Sequence, residues 1–185
     1  VGGGLTAAAE REALLAIARR AIAGAIGAPG AGPAVQPEDA SRGGAFVSLH
    51  DRGGDLRGCI GFIESDEPHP RTVRDAAVAA ATRDPRFPPV RAEELPGLQI
   101  EISLLSAPRP IRPEEVECGR HGLIVSRGGR RGLLLPQVPA QFGWDREQFL
   151  AATCRKAGLP ENAWRDPATS LEAFEAEVFS EPSPS

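Results

Sequence analysis

Apolar and polar residues alternate with two different periods along this chain, and each change of period marks an element. From Ala7 to Ile26 apolar residues recur every three or four positions, so Leu14, Leu15, Ile17, Ile22, Ala25 and Ile26 form the stripe of an amphipathic helix. Thr6 stands where a side-chain cap belongs, and Gly27 where a helix stops. Residues 28–40, rich in Pro, Gly and Ala, predict a surface loop. Ala45–Leu49 and Leu56–Gly61 are β-capable runs around Gly53-Gly54, the pattern of a hairpin. Thr72 and Asp75 mark the start of a second helix over Val73–Thr82. The segment from Asp84 to Pro89 is excluded from a helix, because prolines restrict themselves and the residues before them. Such a stiff segment holds Arg86 and Phe87 in fixed directions. Leu98, Ile100, Ile102 and Leu104 alternate with polar residues as a half-polar strand. Gly122–Val138 reads as a second hairpin around Gly128-Gly129, and Asp145 with Gln148 opens a capped helix that ends at Gly158. A last strand is predicted over Leu171–Phe179. Irregular alternation of helices with hairpins, and no glycine-rich βαβ fingerprint, predict an α+β fold with a mixed, largely antiparallel sheet and flanking helices. The domain reading is a flexible segment over 1–5, one domain over 6–180 and a disordered tail over 181–185.

The first hairpin carries the candidate chemistry. With Gly53-Gly54 at its tip, Val47 falls opposite Ile60, Ser48 opposite Cys59 and His50 opposite Arg57. That register collects Ser48, His50, Arg57 and Cys59 on one face and Val47, Leu49 and Ile60 on the other. Residues two apart on a face are separated by roughly 6.5–7 Å, so the Arg57 guanidinium reaches the Cys59 sulfur, where its charge favours thiolate over thiol. Cys59 is thus the candidate nucleophile, Arg57 its charge partner and His50 a base across the hairpin. Gly58 and Gly61 leave room beside the sulfur for a ligand or another backbone to approach. Arg86, Glu101, Ser103 and His121 are further candidate binding residues. The opposing reading is a structural hairpin with a small packed cysteine.

Composition narrows the choices. The 185 residues include three widely spaced cysteines, which fit a reducing cytoplasm better than a disulfide framework. Cys118 and His121 have the spacing of half a metal site and lack a partner pair, so no metal and no cofactor is expected. Cys154, on an apolar helix face, reads as a packed cysteine, and His69 as a solvated loop residue. No apolar run is long enough to span a bilayer, and no secretory signal is visible. A net charge of −4, the lack of Tyr and the scarcity of other aromatics argue against nucleic acid. Of the 21 basic residues, all but Lys156 are arginine. Lysine kept at that one place suggests a need for an ammonium rather than a guanidinium, and Lys156 joins the candidate catalytic group.

Leu56-Arg57-Gly58-Cys59-Ile60-Gly61 resembles the signature of the AMMECR-domain family, whose prokaryotic members are called AmmeMemoRadiSam system protein A. The likeness continues through Asp84–Val90, Ile100–Leu105, Gly119–Leu123, Leu134–Val138, Gly143–Asp145 and Cys154–Leu159, in family order. It implies two unequal lobes around a cleft. It also implies company with a Memo-type protein and a radical SAM enzyme, in which the radical chemistry belongs to the partner. Two readings stand: a component of an enzyme system acting through Cys59, and a non-catalytic adaptor or regulatory module that uses the same cleft for a partner. A nucleic-acid regulator is the weakest third. The residues fix neither substrate nor reaction.

Overall fold

The computed structural model describes residues 7–32 and 41–183. Thr6, the segment 1–5, residues 33–40 of the predicted loop and the last two residues of the predicted tail lie outside the described residues. The chain forms two compact units of unequal size, one from residues 1–105 with 177–185 and the other from residues 106–176. Both are built of helices and antiparallel strands, so the chain is α+β.

In the first unit, α1 (Ala8–Ile26) precedes the hairpin of β1 (Ala45–His50) and β2 (Leu56–Phe62). Helix α2 (His69–Thr82) and β3 (Gln99–Leu105) follow. The strands lie in the order β2-β1-β3. Helix α1 buries Leu14, Ile17, Ala18, Ile22 and Ala23, the strict three-and-four series. Leu15 and Ile26 sit at the margin of that stripe, and Ala25 is exposed. Val47 and Leu49 of β1 and Ile100 and Ile102 of β3 are fully buried in the same core, with the alanines of α2.

Three expectations are corrected in this unit. Helix α2 starts four residues earlier than the predicted Val73, with Pro68 at its cap and Pro70 in its first turn, where a missing N–H costs nothing. Thr72 therefore lies inside the helix, its hydroxyl bonded to Ser65 Oγ at 2.9 Å. His69, read as solvated, is buried at the start of α2, where Nδ1 lies 3.0 Å from Ser41 Oγ. Glu181, assigned to a disordered tail, is firmly held. It accepts from Arg19 Nε at 2.7 Å and from Ile100 N at 3.0 Å, and its own N–H reaches the Ile100 carbonyl at 2.9 Å.

The second unit contains the short strand β4 (Arg109–Pro110) and the hairpin of β5 (His121–Arg127) and β6 (Arg130–Leu134). It continues through α3 (Val138–Phe142) and α4 (Arg146–Lys156) into β7 (Ser170–Ser180), whose residues 170–176 belong here. Strand β7 pairs β5 and β4. Gly128 and Gly129 both have positive φ, as a two-residue hairpin turn with the twist of its strands requires. Asp145 caps α4 as predicted, accepting from Gln148 N while Gln148 reaches back to the Asp145 N–H. Phe149, Leu150 and Cys154 of α4 pack on Leu123, Val125 and Ala173.

Candidate functional site

The outer face of the β2-β1-β3 strands in the first unit gathers most of the predicted polar residues. Ser48 of β1 pairs with Cys59 on one side and Glu101 of β3 on the other, so these three form one row across the sheet. The next row is Gly61, Phe46 and Ser103. His50 leads the row on the opposite side, and its Nε2 lies 3.9 Å from Glu101 Oε1, buried and without a hydrogen-bond partner among the described residues. The Ser48 hydroxyl donates to the Cys59 sulfur at 3.2 Å. Cys59 is half-buried and all three cysteines are free. A half-buried sulfur bonded to a hydroxyl, with a carboxylate and an imidazole on the same face, has the components for nucleophilic or ligand-binding chemistry.

Arg57 does not join this group. The predicted register holds from Ala45–Phe62 to Leu49–Gly58 and then slips, so His50 faces Leu56 and Arg57 is the extra residue of a one-residue bulge. Its guanidinium forks onto Glu94, with Nε–Oε1 at 3.0 Å and Nη2–Oε2 at 3.2 Å. It also donates to the Pro88 carbonyl at 2.9 Å and the Pro89 carbonyl at 3.4 Å. Those bonds hold the Glu94 carboxyl below the usual range, hydrogen bonding from Arg57 being the largest cause. Arg57 and Glu94 help to line an open cavity of about 500 Å³ with Arg52, Gly97 and Leu98, and Cys59 has no part in it.

The guanidinium beside Cys59 is that of Arg86. Asp84, which sequence reasoning passed over, accepts the Cys59 N–H at 2.8 Å, the Arg86 N–H at 3.0 Å, Arg86 Nε at 3.0 Å and Arg86 Nη2 at 2.7 Å. Arg86 Nη2 also donates to the Cys59 carbonyl at 3.2 Å. The Asp84 side chain is only 2% exposed, and a buried carboxylate persists only when so paired. Its carboxyl is held far below the usual range, first by the Arg86 side chain, against the opposing effect of burial. The Arg86 guanidinium is raised in turn, chiefly by its bonds to Asp84 and to a smaller extent by Cys59. Strand β2 is an edge strand, so Asp84 and Arg86 occupy the backbone donor and acceptor of Cys59 that face away from β1. The signal for this was local. An Asp-Pro-Arg triplet sets a carboxylate and a guanidinium two residues apart on rigid backbone.

The glycines serve packing. A Cβ on Gly58 would collide with the Ala80 carbonyl oxygen of α2, and a Cβ on Gly61 with the Phe46 ring. The space expected for a ligand is filled by the chain's own atoms. His121 and Lys156 belong to the second unit. His121 is buried at the start of β5, where its Nδ1 accepts from Glu117 N at 3.0 Å and its Nε2 lies 3.9 Å from Glu175 Oε1. Lys156 is exposed at the last position of α4, where a cation complements the helix dipole. Among the described residues, no group of three or more His, Cys, Asp or Glu is placed to hold a metal ion.

The sequence blocks around this face can be compared with known proteins. A profile of the AMMECR1 family matches residues 15–179, most of the chain. The chain belongs to the AMMECR1 family. A protein of Thermococcus gammatolerans is 49% identical over 158 residues, covering 80% of this chain and 77% of the relative. A protein of Methanothermobacter thermautotrophicus is 48% identical over 147 residues, covering 76% of each. The crystal structure of the uncharacterized protein PH0010 from Pyrococcus horikoshii superposes with a TM-score of 0.72 at 42% identity. That match spans 92% of this chain and 91% of the archaeal one. The names of these AMMECR1 relatives carry no activity. Among the described residues of this AMMECR1 chain, no helix is long and apolar enough to cross a membrane.

Proposed function

We propose that the chain acts through the outer face of its β2-β1-β3 strands, with Cys59 as the reactive group. The Ser48 hydroxyl bonded to the Cys59 sulfur carries this reading, because it holds a half-buried sulfur in a fixed place on the face that also bears Glu101 and His50. Glu101 and His50 share the face and supply the groups for proton transfer. The resemblance to AmmeMemoRadiSam system protein A supports a place beside a Memo-type protein and a radical SAM enzyme, in a reducing cytoplasm that suits three free cysteines. The test is alkylation by iodoacetamide near neutral pH, with modified peptides resolved by mass spectrometry. Cys59 is expected to react faster than glutathione and buried Cys154 to stay unmodified. Cys59→Ala is expected to leave the melting temperature nearly unchanged. Alkylation of Cys59 slower than that of glutathione overturns the reactive reading.

A second reading, an adaptor that docks a partner, has its own observation. Leu56, Phe62 and Ile63, on or just after the edge strand β2, are among the few large apolar side chains left exposed. Exposed apolar side chains at the ends of an edge strand suit a protein partner.

A further inference from the structure

The oxygen partners of Arg86 engage only one side of its guanidinium. Nε and Nη2 are committed to Asp84 and to the Cys59 carbonyl, while Nη1 has no oxygen partner among the described residues. The side chain is 55% exposed at the edge of the sheet, with its guanidinium over the Phe87 ring at 5.5 Å and also hydrogen-bonded to the Cys59 side chain. The group cannot swing away freely, because a buried carboxylate grips it at two points. Nor does that carboxylate repel an incoming anion strongly. Asp84 is nearly inaccessible, and its oxygens already accept four N–H groups. The other carboxylate on this face, Glu101, stands two strands in from Cys59, roughly 9–10 Å away at the usual strand spacing.

We propose that Arg86 is an anion-recognition residue beside Cys59, held in place by Asp84, and that the site takes small electrophilic ligands carrying a carboxylate next to the carbon that meets the sulfur. The inference rests on Cys59 being the reactive group. It adds a ligand class: the negative charge lies on the outer, Arg86 side of the sulfur, and the rest of the ligand extends over Ser48 toward Glu101.

Two reagents of nearly equal size test it, iodoacetate and iodoacetamide. In both reactions the sulfur displaces iodide at the CH2 carbon. A C–S bond forms, the C–I bond breaks with its electron pair leaving on iodide, and the thiol proton passes to buffer. The quantity read is the iodoacetate-to-iodoacetamide rate ratio at Cys59, divided by the same ratio for glutathione. It is expected to be at least about fivefold above one at low salt, the order of a single charge-assisted contact at a half-exposed site, and to fall toward one at high salt. Arg86→Gln is expected to bring the ratio to about one. Because that change leaves Asp84 buried without its partner, the double variant Asp84→Asn/Arg86→Gln is measured beside it, with melting curves for both. Arg86→Lys keeps a charge and is expected to retain part of the preference. A wild-type ratio near one, with Cys59 still fast toward iodoacetamide, overturns the inference and leaves the reactive reading standing. A Cys59 slow toward both reagents overturns both.

Discussion

At the scale of single residues, the motif is ruled by close approach. Gly58 faces α2, and the Ala80 carbonyl sits where a Cβ would go, so strand and helix backbones meet with no side chain between them. Gly58→Ala must push the helix off the strand or bend the strand. It is expected to destabilise the fold by about 1–3 kcal/mol, read from denaturant unfolding. A loss below about 0.5 kcal/mol would show that the two backbones have room to part. Asp84 is the other governing residue. One nearly inaccessible carboxylate fixes a strand residue and a guanidinium together, through four hydrogen bonds.

At the scale of elements, β2 holds two kinds of surface. Its backbone at Cys59 is occupied by Asp84 and Arg86, while its ends expose Leu56 and Phe62. If partners dock there, Phe62→Ser, at a position 40% exposed, leaves unfolding free energy within about 0.5 kcal/mol and weakens binding of a purified Memo-type protein. Unchanged binding would set β2 aside as the docking element. Sequence made much of this hairpin legible, since a period of two decides the face of Ser48, Val47, Cys59 and Ile60. It failed at Arg57, because the bulge depends on how the loop around Asp51 closes. There the Asp51 carboxylate accepts from the N–H groups of Gly53 and Asp55. The partner of Arg57, Glu94, lies 37 residues away and leaves no local trace. The start of α2 was hidden by its prolines, and α3 and β4 are too short for periodicity to show.

At the scale of the whole molecule, buried titratable groups set the acid limit of stability. Burial lowers the pKa of His69 in the first unit, against the Leu105 carbonyl and the charge of Glu10. Burial is also the largest cause lowering His121 in the second, followed by Arg120. A histidine depressed in the folded state takes up its proton more readily when unfolded. Stability is therefore full above the unfolded value near 6.5 and falls as pH drops below it. Asp84, depressed far more, adds a second loss below about pH 4, where the unfolded carboxyl binds a proton that the folded one refuses. Denaturant unfolding across this range is expected to show both declines. His69→Gln is expected to shallow the first and leave the second; an unaltered slope between about pH 6.5 and 5 would remove His69 as its cause.

The bonds that Asp84 and Arg86 make to the Cys59 backbone have a consequence beyond the ligand face. An uncovered edge strand is a template on which a neighbouring chain can add its own strand. Here the N–H and carbonyl in the middle of that edge are already taken, by side chains from a proline-stiffened segment that cannot itself extend the ladder. The same two residues that bond the Cys59 backbone therefore guard the protein against edge-to-edge aggregation. Sequence drift at either position would be filtered through solubility.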